Sequence, residues 1–123
     1  MKTIREAAIE LTVKIVSVCD TISNRRAFTG QILRSSSSIG ANVSEAKYAQ
    51  SDADFVNKME IALKECYETL YWLEILYRTK SISIETFEEL SKDCNRIRRQ
   101  LVSSIKTVKE KNKALDIELT AER

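Results

Sequence analysis

Apolar residues recur along this chain at intervals of three and four, in four blocks separated by short polar breaks. In the first block Ile4, Ala8, Leu11, Ile15, Val18 and Ile22 fall on one helical face. Thr3-Ile4-Arg5-Glu6 opens it as a capping box, and Ser23-Asn24 supplies turn residues at its end. The second block reads Phe28, Ile32, Ser35, Ile39, Val43, Ala46. The third starts with the cap-like Ser51-Asp52-Ala53-Asp54 and reads Phe55, Met59, Ala62, Cys66, Leu70, Leu73, Tyr77. In the fourth, Ser83 is the expected N-cap, with Ile82 and Phe87 as a hydrophobic staple. Its face continues through Leu90, Cys94, Ile97, Leu101, Ile105 and Val108. The pattern predicts helices over 3–23, 25–48, 52–78 and 84–110, then a frayed tail over 111–123. Long helices with short connections become antiparallel neighbours, so the expected fold is all-α. It is an antiparallel up-and-down four-helix bundle in one domain, 1–123.

One segment tests that reading. "QILRSSSSIGANVSEA", residues 31–46, has the composition of a linker, yet Ile32, Ile39 and Val43 keep helical spacing through it. On a helix, Ser37, Gly40 and Ser44 share a side nearly opposite Ile32 and Ile39. Small residues there let another backbone approach, within the bundle or across subunits. Serine hydroxyls stay satisfied by bonding to preceding carbonyls.

Two helices carry a second apolar row. Ile9, Val13 and Val16 project away from the first helix's core face, and Ile61, Trp72 and Ile75 from the third's. Such rows are costly when wet, so they predict a homo-oligomer that buries them. The competing reading is a third helix surrounded within its own bundle, or scattered surface apolars.

Composition narrows the class. The chain has 123 residues, 43% hydrophobic and 31% charged, with no proline and two glycines, too few turn residues for an all-β fold of this size. No long uncharged apolar run suggests a membrane span, and the N-terminus lacks a signal-like apolar centre, so the expected location is cytoplasmic. Histidine is absent. Without it, neither a catalytic triad nor a Glu-x-x-His di-metal site can be assembled. Cys19, Cys66 and Cys94 are too widely spaced for a zinc site and read as small buried hydrophobes. No phosphate-binding glycine loop occurs. The expectation is a non-enzymatic protein with no catalytic residues, no metal and no cofactor.

Charge adds one candidate surface. Between Lys92 and Lys113 there are eight basic residues and two acidic ones, although the whole chain carries only +2. Lys92, Arg96, Arg99, Lys106 and Lys113 line up opposite the fourth helix's apolar stripe, a spacing able to follow a phosphate backbone. The competing reading is a solvated helix surface whose cations suit the dipole. No stacking aromatics interleave with these residues along the sequence. The expected function is binding of RNA or other nucleic acid, with a protein-interaction scaffold as the alternative.

Leu33–Leu76 resembles a known family. The matching residues are Arg34, Ser38-Ile39, Asn42-Val43-Ser44-Glu45-Ala46, Phe55, Ile61-Ala62-Leu63-Lys64-Glu65 and Trp72-Leu73-Glu74. They follow the pattern of the bacterial proteins encoded by intervening sequences in 23S ribosomal RNA genes, also labelled ribosomal S23 proteins. The resemblance implies a four-helix bundle and a homopentamer. It also implies kinship with the more strongly basic accessory protein of diversity-generating retroelements, which binds RNA and a reverse transcriptase. Arg34, Asn42 and Glu45 fall on motif positions and read as polar surface or interface residues. Arg34 and Glu45 lie about three turns apart, so their partners belong to another helix or subunit.

Overall fold

The computed structural model describes residues 1–121. Four helices follow one another: α1 (Ile4–Cys19), α2 (Arg26–Ala46), α3 (Asp52–Arg78) and α4 (Ile84–Ala121), with no strand among the described residues. Each packs on its neighbours in sequence and α1 closes against α4, while the backbones of the diagonal pairs α1–α3 and α2–α4 stay apart. The α2–α3 contact is the most extensive of the four and the α1–α4 seam the thinnest. Leu11, Ile15, Ile32, Ile39, Leu73, Leu76, Leu90, Ile97 and Leu101 fill the centre and are all but inaccessible.

The expected caps form. Thr3 accepts from the Glu6 N–H, and the Glu6 carboxylate accepts from the Thr3 N–H. Ser51 accepts from the Asp54 N–H at 3.1 Å, while Asp54 reaches one residue further back, to the Gln50 N–H. Ser83 accepts from the Thr86 N–H, with Ile82 buried and Phe87 packed against the core.

Two boundaries differ from expectation. Helix α1 stops at Cys19 and not near 23. The Thr21 and Ile22 N–H groups bond three residues back, to Val18 and Cys19, tightening the last turn. Asn24 then reverses the chain at φ 64°. Helix α4 does not fray at 110 but runs for 38 residues, about 57 Å at roughly 1.5 Å per residue. Beyond Val108, which lines a cleft with the α2–α3 connection, Asn112 is half-buried and the other described residues are exposed. The helix persists because its nucleus is already formed in the bundle and Lys, Ala, Leu and Glu propagate it well. The last two residues of the predicted tail, Glu122 and Arg123, lie outside the described residues.

The serine run is continuous helix. Ser35, Ser36 and Ser37 each donate to the carbonyl three residues back, at 3.1–3.4 Å. Ser35 also accepts from the Thr69 hydroxyl of α3 at 2.9 Å, deep in the interior. On the other side Thr12 of α1 donates to the Ser36 carbonyl at 3.1 Å, and Arg5 donates to the Ser44 hydroxyl at 3.0 Å. Gly40 approaches Ala8 and Ser44 meets Arg5, both of α1, whereas Ser37 is exposed. Ser35 and Ser36 take its place, because α2 is flanked on two sides.

A Cβ added at Gly40 would meet the Ala8 Cβ at 3.4 Å, an ordinary contact. Gly40→Ala is therefore expected to raise stability by up to about 1 kcal/mol, through helix propensity. Gly40→Leu should lower it by about 1–3 kcal/mol through overpacking. Urea denaturation of both variants checks the opposite signs.

Candidate functional site

Lys92, Arg96, Arg99, Lys106 and Lys113 are all exposed along α4. Among the described residues Lys92, Arg96, Arg99 and Lys113 have no carboxylate partner, and Lys106 reaches Glu110 only at 4.0 Å. Several other cations are paired: Lys14 holds Asp93 at 2.8 Å, Lys109 holds Glu60 at 2.8 Å, and Lys58 holds Glu45 at 3.1 Å. Asp93 sits within the basic run yet turns to α1, where its hydrogen bond holds the Lys14 ammonium above its ordinary value. Arg96 and Arg99 border a groove of about 490 Å³ against the start of α1, shared with Lys2, Thr3 and Ser103.

Sequence order hides a second element of this surface. Across the α3–α4 seam, Tyr67 lies with its ring centre 6.0 Å from the Arg98 guanidinium carbon, and Arg98 is oriented by the Asn95 side chain at 2.9 Å. Tyr67 and Tyr71, one turn apart on α3, are 53% and 58% exposed. Further along the seam a groove of about 350 Å³ is floored by Leu63, Val102 and Ile105 and edged by Lys106, Lys109 and Lys113. One aromatic ring, Tyr67, does accompany an α4 cation, Arg98, but it comes from α3, while Tyr71 meets Trp72 on its own helix. Only the antiparallel register of the two helices brings Tyr67 and Arg98 together.

The family-motif residues serve packing between α2 and α3. Arg34 Nη1 lies 3.0 Å from Glu65 Oε2, and Nη2 binds Glu68. Glu65 is only 7% exposed, so Arg34 supplies the cation that this near-buried carboxylate requires. Arg34 also holds the Glu68 carboxyl below the usual carboxylate range, and Glu68 accepts from the Trp72 indole at 3.4 Å. Glu45 likewise pairs across to α3, through Lys58, so both long-range partners lie on a neighbouring helix of the same chain. Asn42 turns inward on its own helix, donating to the Ser38 carbonyl at 2.9 Å.

The two apolar rows occupy different seams. Ile9, Val13 and Val16 are exposed on α1, one step outward from Thr12, which touches α2. Ile61 is marginally exposed, whereas Trp72 and Ile75 are half-buried. Trp72 is not a bare surface aromatic: it stacks on Phe28 of α2 at 5.9 Å and meets Tyr71 edge-on at 5.0 Å.

Cys66 and Cys94 are fully buried and Cys19 half-buried, all as free thiols. Cys94 donates weakly to the Cys66 carbonyl, and its proximity together with burial pushes the Cys66 thiol up, holding it protonated. No cluster of three or more potential metal-ligating side chains occurs among the described residues, and none of their helices is long and apolar enough to cross a membrane.

Four helices in sequential contact around one core define an all-α four-helix-bundle protein. The chain belongs to the 23S rRNA-intervening sequence protein family, whose model matches residues 2–103. It is similar to a crystal structure of a protein with unknown function from the S23 ribosomal protein family of Bacteroides thetaiotaomicron. The two are 45% identical, with a TM-score of 0.80, over 85% of this chain and 99% of that one. No curated protein matches the chain.

Arg34→Met is expected to cost about 1–3 kcal/mol at neutral pH, because Glu65 loses its cation. With Glu68 depressed by Arg34, the pair's contribution is complete above the unfolded glutamate value near about 4.3. It is lost as pH falls through the lower, folded value. Thermal melts between about pH 7 and about pH 2.5 should show wild type and variant converging at the acid end.

Proposed function

We propose that this protein is a non-enzymatic RNA-binding protein that works in the cytoplasm as a homo-oligomer. The observation that carries the reading is the row Lys92, Arg96 and Arg99. These cations share one outward face and lack carboxylate partners among the described residues, while Glu89 and Asp93 beside them on α4 are paired with Lys14 of α1. A counterion-rich strip of this kind releases its ions to a phosphate backbone. The family's name ties its members to ribosomal RNA genes, which favours RNA over other acidic partners.

Assembly follows from the apolar rows. Ile9, Val13 and Val16 flank the α1–α2 seam, and Ile61, Trp72 and Ile75 flank α2–α3. Two different patches on adjacent sides of the bundle suit a head-to-tail contact, which closes into a ring when its rotation allows. A pentamer is the ring that the family resemblance implies. In such a ring α2 lies towards the subunit contacts, and α4, diagonally opposite, faces outward with its cations repeated in each subunit.

A second reading, a protein-interaction scaffold without nucleic acid, draws on the same exposed aliphatic rows. The two differ in which side chains matter. The double variant Arg96→Glu/Arg99→Glu should abolish RNA binding at low salt and leave the oligomer intact. Wild-type affinity should fall steeply as salt rises, by about 0.7–0.9 logarithmic units per decade of salt for each phosphate contact. Gel shifts over a salt series measure this, and no shift at low salt would leave the scaffold reading. Val13→Glu, at a position 59% exposed in the single chain, should reduce the mass seen by light scattering without lowering helicity. A wild-type monomer at micromolar concentration would end the assembly proposal.

A further inference from the structure

We infer that the RNA segment met by this protein is single-stranded, with its bases stacked on Tyr67 and Tyr71 and its phosphates held by the α4 cations. The inference rests on the RNA-binding reading above and assigns the form of RNA recognised. Four observations converge on the α3–α4 seam. Two tyrosine rings stand one turn apart with more than half of their surface open to solvent. Arg98 lies against Tyr67 in cation–π range, held there by Asn95, so the ring is supported on one side. Lys64, on the preceding turn of α3, is exposed and unpaired among the described residues, and so is Arg99, about 100° round α4 from Arg98 towards the groove against α1. The apolar floor of Leu63 and Val102 then continues the path, edged by Lys106, Lys109 and Lys113 and by Glu60 and Glu110.

A base offers an apolar face only when it is out of a duplex. A-form RNA buries those faces in its stack and presents phosphates, 2′-hydroxyls and base edges. A surface that recognised duplex by charge alone would have no use for exposed rings. Rings interleaved with cations are the arrangement by which sequence-tolerant single-strand binders work. Of the acids bordering the path, Glu60 is paired with Lys109 and Glu74 with Arg78, while Glu110 lies 4.0 Å from Lys106.

Fluorescence anisotropy with labelled oligouridylate and with an RNA duplex of equal length, at one low salt concentration, tests the inference. Oligouridylate should bind about tenfold more tightly than the duplex, in line with the stacking energy of one or two bases. Tyr67→Ala and Tyr71→Ala should each weaken oligouridylate binding about tenfold while leaving duplex binding and the salt slope unchanged. The phenylalanine variants should bind as wild type. Arg99→Glu, by contrast, should weaken both ligands and reduce the salt slope. Equal affinity for strand and duplex, or alanine variants that bind oligouridylate like wild type, overturns the single-strand inference and leaves RNA binding standing. No binding of either ligand overturns both.

Discussion

The narrowness of α2 is the constraint on which this bundle depends. Helix α2 must approach α1 and α3 closely at once, and a helix with long side chains on both flanks could not. Gly40 brings α1 to within contact of the backbone, and Ser35 and Ser36 occupy the two flanks next to the Ile32–Ile39 core stripe. Polar atoms in such positions would cost about 1–3 kcal/mol each if left without partners. The hydroxyls avoid that cost through carbonyls three residues back, and Ser35 does so again through Thr69. Small size and local satisfaction are both needed; alanines would give the first without the link to Thr69.

The Arg34–Glu65–Glu68 network depends on the same approach. A guanidinium on α2 can meet two carboxylates on α3 only when the helices lie close, and its planar fork suits two acceptors. Glu65 sits where most positions would be apolar, so the network also penalises any register in which Arg34 misses it. That is a physical reason for this segment to carry the most recognisable part of the sequence.

Much of this was legible before any coordinates. The period of three and four located all four helices, and Thr3, Ser51 and Ser83 marked three starts because caps are local chemistry. The α3 boundaries, 52–78, follow directly from Ser51 and from the turn residues after Arg78. Less legible were features decided by the neighbour. Ser35 falls on the apolar stripe, but Ser36 is hidden because a single-stripe reading assigns α2 one buried face where it has nearly two. Thr69, Glu65 and Leu76 were missed on α3 for the same reason. The end of α4 was missed because charged, exposed residues weaken the apolar pattern without weakening the helix. In the candidate site, the exposed cations could be read from one helix. The tyrosine beside them could not, because Tyr67 and Arg98 are far apart in sequence and only antiparallel register makes them neighbours.

The backbones of α2 and α4 stand diagonally apart, and the separation of α2 from the outward face of α4 has an energetic meaning. Free-energy effects of substitutions that share no partners add, whereas those within one packed network do not. The small-residue flanks and the Arg34 network belong to one coupled unit, in which a change at one position alters the cost of a change at the next. The outward residues of α4 belong to another. Selection can rewrite charge along α4 almost one residue at a time while α2 stays fixed by mutual dependence. One bundle can thus conserve how it holds together and still vary what its far side meets.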